Sequence, residues 1–313
     1  MKVDPFPTAH VAEIETRADV LPWLVRSIWP TAAVGVLGGP PKVGKTWLSL
    51  DLATSVASGT PCLGAFPVDK PGPALLYLAE DSLDSARSRI DGICRHRGIG
   101  LHQADLHFIT SPTLRLDRDD DSRRLLATVQ ALRPRLLLLD PFVRLHTRDE
   151  NDSGAISAIL AGLRQLQRAC DVAIVLVHHT RKNGRGPQGY ALRGSGDLYA
   201  WGDAYAYLSR RDRTLRLCLE HRSHAPIDPI TLNLVSRPDG SCTHLELAPD
   251  APAPVDVLPD LVLAELDRTQ TPLRRTHLRA RLKVNNQRLG QALEQLRAQD
   301  RARCDAAGWS PVR

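Results

Sequence analysis

Aromatic residues make up only 4% of the 313 positions, and that scarcity counts against a nucleic-acid reader built on many base-stacking platforms. No stretch approaches the ~20 apolar residues that a membrane span requires. Residues 1–19 carry acids and no apolar core of signal-peptide length. A cytoplasmic protein with no membrane partner is the expectation. The six cysteines, Cys62, Cys94, Cys170, Cys218, Cys242 and Cys304, contain no C-x-x-C pair, so the sequence signal for zinc or redox chemistry is missing. They read as small buried or half-buried fillers. With 42% hydrophobic and 24% charged residues, the chain has the composition of an ordinary globular protein, long enough for one large α/β domain and a small appendage.

Net charge is +6, and it is unevenly placed. Residues 257–313 hold eleven Lys/Arg against six Asp/Glu, a balance of +5, which leaves +1 for the rest. The basic character sits in the tail.

The most informative stretch is Gly39-Pro40-Pro41-Lys42-Val43-Gly44-Lys45-Thr46, between the apolar run 32–37 and a helix-like stretch 47–57. This is a phosphate-binding loop in a strand-loop-helix setting. Such a loop presents backbone N–H groups to a triphosphate at the positive end of a helix dipole. Pro40 and Pro41 supply no donors, so the cradle falls to Val43, Gly44, Lys45 and Thr46, flanked by Gly39, Lys42 and Trp47. Lys45 is placed to reach the β/γ-phosphates and the Thr46 hydroxyl to ligate Mg²⁺. ATP and Mg²⁺ are the expected ligands.

Upstream, Trp23, Leu24, Ile28 and Trp29 between Pro22 and Pro30 read as a short helix-like piece. It is either a lid beside the nucleotide core or an arm that docks on a neighbouring subunit. Downstream, strands at 74–78, 106–110, 135–139 and 172–177 alternate with helices at 82–97, 119–132 and 153–169. That order argues a mainly parallel, doubly wound sheet. Short runs at 204–209, 214–220 and 230–235 read as antiparallel edge strands. Four prolines in 248–259 mark a linker, and three helices with a terminal hairpin follow, the pattern of a small winged helix-turn-helix. The expected division is an arm at 1–30, an ATPase domain at 31–247, the linker, and a basic domain at 260–313.

Several residues carry chemistry at strand ends. Asp140 closes a run of four leucines and fits a carboxylate that holds Mg²⁺ through water beside the P-loop. Glu80 ends the strand after the P-loop helix, where ligands of open α/β sheets bind, and is placed to take a proton from an attacking water. Asp81 beside it reads as a helix-capping or solvated acid. His178 and His179 end another strand and point to opposite faces, one as a γ-phosphate sensor and one as packing. Residues 181–190 hold Arg181, Lys182 and Arg185 among glycines and a proline, a cationic loop suited to tracking a phosphate backbone.

Taken together, the P-loop, Tyr77-Leu78-Ala79-Glu80-Asp81, Leu139-Asp140 with Arg144, His146, Glu150-Asn151 and Ser153-Gly154, Val177-His178-His179 and Arg193-Gly194-Ser195 resemble the RecA-type ATPases. They are most similar to the plasmid-encoded RepA-type hexameric replicative helicases, relatives of the DnaB class, over about residues 20–235. The resemblance implies a RecA-like fold and a homo-oligomer, a hexameric ring with ATP between subunits. It implies single-stranded DNA in a central channel lined by loops 142–152 and 181–194, with Arg144, Arg181, Lys182, Arg185 and Arg193 as contacts. Glu80 would be the general base, Asp140 the Mg²⁺-associated carboxylate and His178 or His179 the sensor. Arg89, nine residues after Glu80, also matches a family arginine. Glu220-His221-Arg222 resembles the Lys-x-Arg that supplies a cation in trans, with Glu220 in place of the lysine. Arg222 is therefore the finger candidate and Arg216 the alternative.

The C-terminal segment lies outside the resemblance. Arg274, Arg275, Arg279, Arg281, Lys283 and Arg288 surround its turn, and Asn285, Asn286 and Gln287 sit where a recognition helix presents its first residues. Duplex DNA, or a protein partner, is the expected ligand there. The function these features imply is an ATP-driven motor on DNA. The rivals are a recombination mediator or loader that does not unwind, and a nucleotide-gated regulator whose tail binds an operator.

Overall fold

Apolar runs separated by amphipathic helices bury both faces of each strand only in a parallel sheet covered on both sides. The structure, a computed structural model, describes residues 6–13, 23–150, 152–179, 196–211, 214–225, 227–237, 242–249, 258–269, 271–282, 284, 286–305 and 307–312. Its contacts divide the chain into Pro22–Val255 and a second unit of Met1–Leu21 with Asp256–Arg313.

In the larger unit the strands are β1 (Trp23–Val25), β2 (Trp29–Pro30), β3 (Val34–Gly39), β4 (Ala74–Leu78), β5 (Leu106–Phe108), β6 (Leu136–Asp140), β7 (Ala173–His179), β8 (Ala204–Arg211), β9 (Thr214–His221), β10 (Ile230–Ser236) and β11 (Thr243–Leu247). The helices are α1 (Lys45–Ser58), α2 (Leu83–His96), α3 (Asp119–Leu132), α4 (Ser153–Cys170) and α5 (Asp197–Trp201). Among the described residues, nine strands form one sheet in the order β11-β10-β9-β8-β3-β7-β6-β4-β5. The stretch from β8 to β5 is parallel, and β9, β10 and β11 continue it antiparallel.

The apolar runs divide by parity. Leu76 and Leu78 of β4, Leu136 and Leu138 of β6, and Val175 and Val177 of β7 pack with Leu48 and Leu52 of α1 and Ile90 of α2. Their alternates Leu75, Tyr77, Leu137, Leu139, Ile174 and Leu176 pack with Leu125 and Val129 of α3 and Ile156, Leu160 and Leu163 of α4. Ser82 caps α2 by accepting from Ser85 N, and Asp152 caps α4 by accepting from Ala155 N.

Three features differ from the sequence reading. The piece 23–30 is a β-hairpin, not a helix, because Leu24, Val25, Ile28 and Trp29 all enter the core on the α1 face. The fully buried Arg26 donates to both carboxylate oxygens of Asp69 at 2.9 and 3.0 Å. Second, β8 is not an edge strand: it pairs parallel with β3. Gly35 permits that approach, since a methyl group there would stand 1.8 Å from the Ala204 carbonyl oxygen. Third, β11 forms the edge beyond β10, and the sequence reading had no strand there.

The other unit holds α6 (Leu258–Thr269), α7 (Arg275–Leu282), α8 (Asn286–Ala298), β12 (Ala302–Asp305) and β13 (Gly308–Pro311). Leu258, Val262, Leu266, Leu278, Leu289, Leu293, Leu296 and Trp309 make its core. Leu273 exchanges both backbone hydrogen bonds with Trp309, at 2.8 and 2.9 Å, and so extends the β12–β13 hairpin. Arg274, Arg275, Arg279 and Arg281 are exposed; Arg275 donates to the Asn286 carbonyl oxygen at 2.5 Å and Arg281 pairs with Glu265 at 2.7 Å. Lys283, Asn285 and the side chains of Gln287 and Arg288 lie outside the described residues. Among the described residues, no helix is long and apolar enough to cross a membrane.

Candidate active site

Strands β3, β4, β6 and β7 run parallel, so their C-terminal ends meet on one edge of the sheet, where α/β proteins bind ligands. Register brings particular residues together: Gly39 lies beside His179 and Leu78 beside Asp140. Glu80, Asp140 and His179 continue the parity of the strand residues that face α1, the helix that starts from the P-loop.

The loop makes its turn with Lys42 at φ 60° and Gly44 at φ 108°. At Gly44 only a residue without Cβ takes that conformation freely. Helix α1 begins at Lys45 with no side-chain cap from Gly44, so its N-terminus faces the loop as an anion-binding end. Val43 is buried below, and Thr46 and Trp47 are half-buried.

The Lys45 ammonium donates to the Gly39 and Pro40 carbonyl oxygens at 3.0 and 2.9 Å and stands 3.1 Å from His179 Nδ1. Burial lowers its pKa, opposed by the charges of Asp140 and Glu80. Thr46 Oγ1 donates to Asp140 Oδ2 at 3.2 Å. Burial pushes the Asp140 carboxyl up to about 6, against the lowering effects of the Thr46 hydrogen bond and Lys45. P-loop lysine, hydroxyl, carboxylate and histidine thus form one connected group.

Glu80 stands at the mouth of this group, 47% exposed, and Arg144 Nε donates to its Oε1 at 2.8 Å. Arg144 ends the short turn Phe142–Arg144 that follows Asp140. Asp81 is held apart from the nucleotide group by a two-pronged pair with Arg89, at 2.9 and 3.3 Å, and the Arg89 guanidinium lies 5.4 Å from the Trp47 ring centre.

The two histidines part as alternation requires. His179 reaches the P-loop lysine, while His178 is buried on the other face, edge-on to Phe142 and 3.7 Å from Glu150 Oε1. The two candidate fingers part as well. Arg222 sits at the end of the sheet remote from its own P-loop, because His221 pairs with Ala204 and Ala204 with Gly35. There it donates to the Ala200 carbonyl at 2.8 Å and pairs with Asp203 at 3.4 Å. Arg216 is exposed, next to Leu215, whose side chain lies beside Gly44. Arg181, Lys182, Arg185 and Arg193 lie outside the described residues.

Sequence reasoning named Glu80 and Arg144 separately and missed that they meet. A fixed spacing cannot signal an ion pair between residues 64 positions apart. The sequence likewise gave no sign that Lys45 and His179 touch. A cavity of ≈ 830 Å³ between α3 and α4, lined by Leu125, Ile159 and Leu163 among others, lies on the opposite face and includes none of these residues.

The donor set fits a divalent cation and a polyphosphate. Thr46 Oγ1 and Asp140 Oδ2 are hard oxygen ligands side by side, the type that Mg²⁺ selects. A cation there would also reverse the effect of burial on Asp140.

Comparison with known proteins agrees with this geometry. The AAA domain family matches residues 3–185, more than half of the chain. Among solved structures, the chain is similar to a DnaB-like replicative helicase, described with its interactions with primase. The TM-score is 0.50 and the identity 15%, over 68% of this chain and 59% of that one. The chain therefore spans less than two thirds of that helicase, and the likeness is one of fold. A P-loop seated on a mainly parallel RecA-like sheet, and a family match over more than half of the length, show that the chain belongs to the AAA domain family of P-loop ATPases.

Proposed function

We propose that the protein hydrolyses ATP with Mg²⁺ in a ring of identical subunits, and that it translocates on single-stranded DNA as a replicative helicase of plasmid or mobile-element type. The observation that carries the ATPase part is the convergence of Lys45, Thr46, Asp140, His179 and Glu80 on one strand edge. The fold of a DnaB-like replicative helicase supports the DNA part, as does the cationic stretch 181–190 in the sequence.

In this reading the N–H groups of Val43 to Thr46 hold the phosphates and Lys45 leaves its two carbonyl partners for the β/γ-oxygens. Thr46, and Asp140 through water, would hold Mg²⁺, whose charge would offset that of the polyphosphate. Glu80 accepts a proton from water as the water oxygen bonds to the γ-phosphorus. The bond to the bridging oxygen breaks and its electron pair leaves with ADP. His179, against Lys45, senses whether the γ-phosphate is there. Arg222, unable to serve its own P-loop, supplies the cation to the neighbouring subunit.

The test is ATP turnover with no nucleic acid, with single-stranded DNA and with duplex, for wild type and a variant carrying Arg181, Lys182 and Arg185 all as alanine. Single strands are expected to accelerate wild type and leave the variant at its basal rate. A second reading, a nucleotide-gated regulator that binds duplex, is favoured by the exposed Arg274, Arg275 and Arg279 around α7. Turnover indifferent to single strands, with sequence-specific footprints on duplex, would establish it instead.

A further inference from the structure

We infer that Arg144 is a positioning residue that holds Glu80 in check until a polyanion takes the arginine away. Three observations carry this. Arg144 Nε donates to Glu80 Oε1 at 2.8 Å, so the carboxylate placed to accept the proton from water is instead engaged in a hydrogen bond from a guanidinium. The Oε1 atom that holds the guanidinium is not free to accept from a water while the pair stands.

The pair is also exchangeable. Arg144 is 62% and Glu80 47% exposed, and an ion pair in that setting is weak and competes with other anions. A phosphate diester, which presents two oxygens to a guanidinium, is a suitable competitor.

The third observation is that the turn bearing Arg144 is held by contacts of its own, independent of the guanidinium. Arg115 donates to the Arg144 and His146 carbonyl oxygens, and Asp117 accepts from Thr147 N and Oγ1, the latter at 2.6 Å. A change at Arg144 is thereby confined to its guanidinium, and Asp140, four residues before it, keeps its place. Binding of a nucleic-acid phosphate at Arg144 would free Glu80 and raise the hydrolysis rate. This coupling rests on the reading of the site as a DNA-dependent ATPase.

Arg144→Ala tests it, with Arg144→Lys as the conservative companion and nucleotide affinity measured for both. Without nucleic acid, Arg144→Ala is expected to hydrolyse ATP about two- to five-fold faster than wild type. Its nucleotide affinity should be unchanged and its acceleration by single-stranded DNA lost. Arg144→Lys should keep a low basal rate and part of the acceleration, and adding Glu80→Gln to Arg144→Ala should remove the gain. A basal rate in Arg144→Ala equal to or below wild type would overturn the inference, even if DNA still stimulates wild type and the motor reading stands. A raised basal rate in a protein whose wild type ignores DNA would keep the restraint on Glu80 and remove the motor reading.

Discussion

Asp140 is held at about 6, against 3.8 for an ordinary aspartate, chiefly by burial. Between those values the folded protein binds a proton that the unfolded chain has released. The carboxyl therefore favours the folded state at acid pH, and that contribution is lost as pH rises through about 6. At about pH 8, without nucleotide or divalent cation, ionised Asp140 opposes folding. Asp140→Asn is expected to raise the melting temperature there, by the equivalent of at most about 3 kcal/mol, and to abolish ATP turnover. Calorimetry at about pH 8 and about pH 5 checks the sign: the gain should shrink in acid. An equal gain at both would show that ionisation of Asp140 is not its source. At this scale the sequence was legible wherever a role is written locally. The P-loop residues follow from one continuous motif, and Asp140 and Glu80 from strands that end in acids. It was silent on which histidine meets Lys45, because β7 is apolar on both faces and parity alone does not say which face α1 covers.

At the scale of elements, α1 is buried almost all round and carries Asp51 in its middle. Asp51 Oδ1 accepts from Leu63 N at 2.8 Å and pairs with Arg97 from the end of α2 at 2.8 Å, with the two side chains 3% and 6% exposed. Arg97→Ala leaves that carboxylate buried with little compensation and is expected to destabilise by about 3–5 kcal/mol. Replacing both residues by apolar ones should cost less than the sum of the single changes. Urea unfolding of the two singles and the double decides this, and additive losses would show that the pair is not coupled. Neither this pair nor Arg26 with Asp69 was readable beforehand, since their partners are brought together by the fold. The hairpin 23–30 was misread for a related reason. Its bulky residues between Pro22 and Pro30 read as a short helical piece, but tertiary burial against the α1 face decides the conformation. The strand–helix order of the core was readable because each buried strand is a run of apolar residues between amphipathic helices.

At the scale of the molecule, the finger candidate and the P-loop of one chain sit at opposite ends of the sheet, so the chemistry proposed here needs a second subunit. Arg222→Ala is expected to lower turnover on the order of 10³-fold with nucleotide affinity kept. Mixing it with Lys45→Ala should restore about one quarter of wild-type activity if subunits exchange at random in a ring. A mixture as inactive as its components would place the cation elsewhere, with Arg216 the next to test. The decisive measurement is phosphate release from Mg²⁺-ATP by the full chain beside Glu80→Gln, with nucleotide binding followed in parallel. Wild type should turn over, and Glu80→Gln should bind ATP as tightly while hydrolysing it at least about 100-fold more slowly, the range expected for loss of a general base. Hydrolysis by Glu80→Gln at the wild-type rate would contradict the assignment of this strand edge as the place where the chemistry occurs.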